Sequence, residues 1–328
     1  MAMLEDGNTP LISARNVNNG LKGFVNTPKN IVAGNCITLN NDGDGGAGLA
    51  YYQPADMALD THVTALVPKS KMSMFMMLFI SECLSKLHGF FGHGLSISNS
   101  RAEKIRIMLP VTDNGQPDYQ FMEDYVRELM SVKRQQYRQY VEKRLESLGL
   151  DVANRGGYSD ELKSRKWKTF RLEDIFECTK GVYLPTDSVR DGDIPYITAK
   201  AGNNGVNGFI GNGILFSGNK VTVEKIRLNA YYQSIAFYCS HDVSVIYNER
   251  LNEYNAQFIA NIIMRNGTKY SYGRQAQLNV VKREAIMLPV TDDGQPDYDF
   301  MEEFGRKMMA NKYNQYLAFL AMSDTIKA

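Results

Sequence analysis

Apolar positions along the first third of the chain come in short clusters. Ile31-Val32, Cys36 to Leu39, Leu49 to Tyr52 and Val63 to Val67 are β-type runs separated by Gly, Asn, Asp and Pro, the signature of strands joined by turns. The period then changes. Met72, Phe75, Met76, Phe79, Ile80, Cys83, Leu84 and Leu87 recur at helical spacing and predict a buried helix within 71–87. Gly89 to Arg101 reads as a Gly/Ser/His loop. From Asp118 to Leu148, Phe121, Tyr125, Leu129, Val132, Gln136, Tyr140 and Leu145/Leu148 follow at steps of three and four, with charges on the other faces. That predicts one long helix with a single apolar seam.

The same order of parts returns. Lys220 to Val223 and Tyr231-Tyr232-Gln233 are β-type, 255–264 is helical, and 270–277 is a loop of Tyr, Gly, Arg and Gln. A second long helix is predicted from Asp297 to Ser323, with Phe300, Phe304, Met308, Asn311, Gln315 and Phe319 as its stripe. A thirteen-residue stretch from Ile107 to Tyr119 recurs from Ile286 to Tyr298 with only Asn114 against Asp293 changed, an offset of 287 − 108 = 179. Such a match marks a tandem duplication. Its Ile-Met-Leu start reads as the end of a buried strand, and its Asp-Asn-Gly or Asp-Asp-Gly as a turn. Asp118 and Asp297 are placed to cap the helices that follow. Nearer the start, Asp6 to Ala14 matches Asp191 to Ala199 at an offset of 195 − 10 = 185, so the first copy carries six extra residues in between. Trp167 to Arg190 precedes the second match, and the first copy has almost nothing there. The expectation is that the first globule lacks an opening helix or strand, or receives it from another chain.

The predicted fold is α+β: two β-rich domains related by pseudo-twofold symmetry, joined by two long antiparallel helices forming a coiled-coil-like spacer. The expected segments are a shortened first domain at 1–110, a hinge and first spacer helix at 111–150, a linker and second domain at 151–288, and a hinge and second spacer helix at 289–328.

Composition narrows the chemistry. A 44% apolar content supports a core in each half, and a formal charge of +1 leaves nucleic-acid binding to local basic patches. The longest apolar stretch, Met72 to Ile80, is too short to span a bilayer, and the first residues have no signal-peptide pattern. Cys36, Cys83, Cys178 and Cys239 lack metal spacing and fit reduced thiols in a cytoplasmic protein. The G-x-G-x-x-G of Gly43 to Gly48 is followed by a strand rather than a helix, so it reads as a turn. His62, His88, His93 and His241 show no zinc motif. Neither a methyltransferase cofactor loop nor a nuclease carboxylate cluster is present, so no cofactor and no catalytic residue is expected.

The order globule, hinge, long helix, repeated twice, resembles the specificity subunits of type I restriction–modification systems. Trp167-Lys-Thr-Phe-Arg-Leu-Glu-Asp-Ile-Phe176 looks like the opening of a target-recognition domain of that family, and Pro195-Tyr-Ile-Thr-Ala199 like its next strand. The hinge with its Phe-Met-Glu is similar to the branch that includes type IIB specificity subunits. The resemblance implies a non-catalytic subunit that reads a split target in double-stranded DNA. Its helices would hold the half-sites apart and dock methyltransferase (modification) subunits, with a restriction or translocase subunit as a further partner. An assembly scaffold with one non-reading half is the rival reading. Thirty helical residues span about 45 Å, about thirteen base-pair steps, so both domains could meet one face of a duplex.

Reading bases calls for Asn, Gln, Arg, Lys, Ser or Thr on loops, and holding phosphates for Lys and Arg. Three clusters of the second half qualify: Lys200, Asn203, Asn204 and Asn207; Lys220, Lys225, Arg227 and Asn229; and Tyr270, Tyr272, Arg274, Gln275 and Gln277. The third combines bidentate side chains with aromatics. The first half offers Arg15, Asn16, Asn18, Asn19 and Lys22; then 43–52; then His88, His93, Ser96, Asn99 and Arg101. Differing side chains at matched sites imply that the halves read different sequences.

Overall fold

The computed structural model describes residues 6–26, 31–42, 46–91, 94–149 and 158–325. The chain divides into two compact units, residues 1–139 and 140–328.

Unit 1 opens with strands β1 (Asp6–Ile12), β2 (Leu21–Val25), β3 (Ile31–Val32), β4 (Cys36–Asn40), β5 (Ala50–Gln53), β6 (Met57–Leu59) and β7 (Val63–Leu66). They form two sheets, ordered β2-β1-β6-β3 and β5-β4-β7. Helix α1 (Met74–Ser85) starts on Ser73, whose hydroxyl accepts from the Met76 amide. It packs Met77 and Leu84 against Ile37, Leu39 and Ala50. The expected loop before Arg101 holds a short helix α2 (Asn99–Ala102), capped by Ser98. The long helix α3 (Tyr119–Leu148) follows, and Asp118 caps it by accepting from the Phe121 amide at 2.9 Å.

Unit 2 takes in the last residues of α3, then α4 (Tyr158–Ser164), β8 (Trp167–Arg171), α5 (Leu172–Ile175) and β9 (Glu177–Lys180). β10 (Asp191–Ile197), β11 (Val206–Ile210), β12 (Leu215–Phe216), β13 (Lys220–Glu224), β14 (Ala230–Gln233), β15 (Phe237–Cys239) and β16 (Val243–Tyr247) come next. α6 (Glu253–Arg265), α7 (Leu278–Arg283), β17 (Ala285–Pro289) and α8 (Tyr298–Thr325) complete it. The sheets are β11-β10-β15-β12, β14-β13-β16-β9 and β17-β8. Asp297 caps α8 through the Phe300 amide at 3.0 Å, as its twin does for α3.

The duplication is visible strand by strand. β4–β5 and β13–β14 share the register that sets Gln53 opposite Cys36 and Gln233 opposite Lys220. The six extra residues of the first copy sit mostly in one place: the β4–β5 loop runs 41–49, while the β13–β14 loop runs 225–229.

Two expectations change. The Ile-Met-Leu stretch is strand β17 in unit 2, with Ile286 and Leu288 buried, but 105–110 is not a strand in unit 1 and Met108 is 93% exposed. The seam on α3 also differs. Phe121, Tyr125, Leu129 and Val132 are exposed and Met122, Val126 and Val141 are buried instead, while Leu148 of the expected stripe is buried as predicted. Tyr125 meets Phe79 of α1 edge-on at 5.9 Å, so part of the stripe serves the globule. Within unit 2, the end of α3 runs antiparallel to α8. Tyr140 meets Tyr313 edge-on, the Arg144 guanidinium reaches the Met309 sulfur at 3.5 Å, and Arg306 donates to the Leu148 carbonyl at 3.1 Å.

Candidate nucleic-acid interface

Backbone bonds join some of the loops named by the sequence within each unit. In unit 2 the join is a backbone bond from the Ala276 amide to the Lys225 carbonyl at 2.7 Å. It holds the β13–β14 loop against the 270–277 loop. The Ser240 amide donates to the Ile197 carbonyl at 2.9 Å, which draws the end of β10 to the 240–242 turn. Asp242 in that turn takes Lys225 at 2.6 Å and His241 at 3.3 Å. The His241 ring in turn meets Tyr183 edge-on at 5.0 Å.

The β13–β14 loop is shaped by one carboxylate. Glu224 is 3% exposed, and it accepts from the amides of Ile226 (2.6 Å), Arg227 (2.7 Å) and Asn229 (3.1 Å) and from the Asn229 side chain (2.9 Å). Leu228 at the bend has φ +53°, a left-handed conformation that costs a branched side chain about 1 kcal/mol or more. Its burial in the core and the grip of Glu224 hold it there. Arg227 is left pointing into solvent.

The 270–277 loop is a tight turn in which Ser271 and Arg274 exchange backbone bonds at 2.9 and 3.2 Å. Tyr272, 80% exposed, and Arg274 project from it, and Gln275 and Gln277 are linked to each other at 3.1 Å. Tyr270 does not project. It is buried, its hydroxyl donates to Glu284, and burial together with that carboxylate pushes its pKa up to about 12. Lys269 also pairs with Glu284 at 2.7 Å. Tyr270 therefore anchors the loop rather than offering a stacking face.

Other residues also turn out to position their neighbours. Asn203 and Asn204 adopt φ of +52° and +54°, which Asn tolerates well. The Asn204 amide is spent on the Tyr232 carbonyl (3.1 Å) and on Gln233 (3.3 Å), holding the turn onto β14. Asn19 does the same in unit 1 with Tyr52 (2.9 Å) and Gln53 (3.3 Å). The Lys220 ammonium lies 3.9 Å from the centre of the Tyr247 ring. Lys200 is half-buried, and Asn207 on β11 is exposed.

Unit 1 makes the same join with different side chains. Its matching bond runs from the Ile97 amide to the Asn41 carbonyl at 2.7 Å. Asn40 stands where Glu224 does. Its amide donates to the carbonyls of Arg15 (3.0 Å) and Gly46 (3.2 Å), tying the first loop to the second. His88 reaches the Ala47 carbonyl at 2.8 Å. Arg15, Asn16, Asn18, Lys22, Ser96, Asn99 and Arg101 are exposed. Lys22 pairs with Asp60 at 3.3 Å, Asn99 accepts from Thr64 at 3.1 Å, and Arg101 donates to the Ser96 carbonyl at 2.6 Å. His93 and Gly43 to Gly45 lie outside the described residues.

Sequence reasoning missed Tyr183 and His241, whose ring pair sits beside the Lys225–Asp242 bond. Nothing in the periodicity ties positions so far apart. Among the described residues no group of His, Cys, Asp or Glu is arranged to hold a metal ion, and no helix is long and apolar enough to cross a membrane.

Comparison with known proteins identifies the family. Residues 2–138 and 164–316 match the family described as the type I restriction modification DNA specificity domain. A curated relative, the specificity subunit S.BcgI of a type II restriction enzyme from Heyndrickxia coagulans, is 26% identical over 318 residues, covering 94% of this chain and 88% of its own. Among solved structures, the S subunit of a type I restriction-modification system from M. genitalium aligns over 99% of this chain and 88% of its own, at 13% identity and a TM-score of 0.43. The HsdS subunit from Thermoanaerobacter tengcongensis aligns over 97% and 85%, at 10% identity and a TM-score of 0.36. With both halves matched, the chain belongs to the type I restriction modification DNA specificity family, the non-catalytic subunits through which restriction–modification systems recognise their DNA targets.

Proposed function

We propose that the chain reads a bipartite sequence in double-stranded DNA, one half with each unit, and docks methyltransferase subunits that act at the site so chosen. The observation that carries this reading is that the same two loops are joined in each unit, through Ala276 and Lys225 in one and Ile97 and Asn41 in the other, with unlike residues at equivalent positions. At the offset of 179, Arg274, Gln275 and Gln277 stand where Leu95, Ser96 and Ser98 do. Arg and Gln make bidentate contacts to guanine and adenine that Leu and Ser cannot copy, so the halves select different bases.

In unit 2 the base-reading candidates are Asn203, Asn207, Tyr272, Arg274, Gln275 and Gln277, with Lys200 and Arg227 on phosphates. Lys220, Lys225, Asn204 and Tyr270 shape the loops. In unit 1 the readers are Asn16, Ser96, Asn99 and Arg101, with Arg15 and Lys22 on phosphates and Asn19 holding the turn. The antiparallel run of 140–148 along 306–313 supports a two-helix spacer, and a spacer of about 45 Å suits half-sites a little over one helical turn apart. The complex works in the cytoplasm, and a restriction or translocase subunit completes it.

The test is selection from randomised duplexes by the chain assembled with its modification subunits. A split sequence with a constant gap is expected, with affinity falling steeply as salt rises. Enrichment of one half only would assign unit 1 a scaffolding role, the reading that its unpaired strand edge favours. No enrichment would overturn the proposal.

A further inference from the structure

Unit 2 contains an open cavity of about 180 Å³ lined by Tyr183, Tyr196, Tyr238, Gly213, Ile214 and Cys239 among others. Strand register builds it. β10 runs parallel to β15 and sets Tyr196 beside Tyr238. The segment after β9 brings the third tyrosine. The Gly181 amide donates to the Val243 carbonyl at 2.9 Å and the Val182 amide to the Cys239 carbonyl at 2.8 Å, which lays Tyr183 against the end of β15. A Cβ on Gly181 would meet the Ser240 carbonyl oxygen at 2.1 Å, so glycine is needed for that approach. Gly213 has φ +134°, and a Cβ there would lie 3.1 Å from the Tyr238 ring, so its missing side chain keeps the wall open.

Unit 1 fills the same place. Its parallel pair sets Leu11 beside Ala58, where unit 2 has Tyr196 beside Tyr238. Leu11 and Ala58 pack with Val25 as a small buried cluster. The fold therefore does not require the cavity, and tyrosines line a space where the twin unit has aliphatic filler. The lining suits one kind of guest. Tyrosine rings offer faces for stacking. Among the described residues no hydrogen bond holds the hydroxyls of Tyr183, Tyr196 or Tyr238, which leaves them for the edge of a polar ring. A cavity of about 150 Å³ takes up benzene, so this one suits a single six-membered ring with its exocyclic groups. It also adjoins the candidate interface. Tyr183 meets His241 edge-on, and His241 shares Asp242 with Lys225, whose carbonyl accepts from the Ala276 amide of the 270–277 loop.

We propose that this cavity receives one pyrimidine base swung out of the duplex, in the half-site that unit 2 reads. The inference rests on the reading of unit 2 as a DNA reader and adds how one base of that half is recognised. Taking a base out of the stack costs free energy, and stacking on the tyrosine rings offsets it. The three hydroxyls meet the base edge that pairing no longer occupies, so the contact selects among bases as well as holding one. Tyr183 and Ile214, 65% and 61% exposed, form the mouth through which the base enters. Unit 1, with Leu11 and Ala58 in place of the two strand tyrosines, reads its half without such a step.

The test measures binding of the chain, assembled with its modification subunits, to duplexes carrying the selected split sequence. In each duplex the partner of one pyrimidine is replaced by an abasic site. An unpaired base is easier to extrude, so at one pyrimidine of the unit 2 half the replacement should tighten binding by about tenfold. Two variants locate the effect. Ile214→Trp narrows the mouth at an exposed position, and Tyr196→Leu with Tyr238→Ala installs the residues of unit 1. In both, the gain should vanish and the intact target should bind about tenfold more weakly through loss of stacking. A gain at no pyrimidine of that half overturns the proposal. So does a gain that both variants keep, which would give the extruded base to a modification subunit. Either result leaves the reading of a split target standing, whereas recovery of no split sequence would remove that reading and this inference with it.

Discussion

Two units with one fold, and with thirteen nearly identical residues in common, differ in what lies over them. In unit 2 the Ile-Met-Leu stretch is a strand with Ile286 and Leu288 in the core, while in unit 1 it pairs with no strand among the described residues and Ile107 and Leu109 are half-buried. The local sequence is the same, so the strand is not a property of the stretch itself. It forms where β8 supplies a partner, in keeping with β-propensity that follows packing and pairing more than backbone preference. The helix that follows behaves differently. α3 and α8 both start on an Asp cap in both units, because a cap and an i, i+4 ladder are local.

The largest expected break in the comparison is in the core. Ile286→Ala should cost about 2–4 kcal/mol, since the side chain is fully buried, whereas Ile107→Ala should cost about 1 kcal/mol or less. Unit-resolved hydrogen exchange in urea checks both, and equal losses would mean that the twin stretches are equally packed. Next comes the loop anchor. Glu224→Ala strips three amides of their acceptor and should destabilise unit 2 by about 3 kcal/mol, while Asn40→Ala in unit 1 should cost about 1–2 kcal/mol because its side-chain oxygen is buried without a partner. A smaller effect is confined to unit 2. The neutral Tyr270 hydroxyl is favoured by folding, so its contribution is full below pH 10 and is lost as pH rises from 10 towards about 12. Tyr270→Phe should flatten that fall in stability, and Phe91, its equivalent at the offset of 179, gives unit 1 no such term.

Much of the fold was legible in the sequence, and for a physical reason. The duplication, the caps and the helix around 71–87 all rest on short-range patterns, and the structure has α1 at Met74–Ser85 and α6 at Glu253–Arg265. On α3 the spacing points to Phe121 and Tyr125, whereas Met122 and Val126, one step round the helix, are the buried pair. The loop clusters were legible as composition, and the backbone bonds that gather them join residues dozens of positions apart. The polar loop around Tyr270 predicts a surface aromatic, and the structure buries it. Its burial depends on Glu284, fourteen residues on, waiting as an acceptor.

The most direct test of two units reading two half-sites is a pair of single substitutions assayed by selection on randomised duplexes with the assembled complex. Arg274→Ala should relax one half of the recovered sequence by about 1–3 kcal/mol per base pair it reads, and Arg101→Ala should relax only the other. Both substitutions blurring the same half, or each blurring both, would contradict a division of the target between the two units.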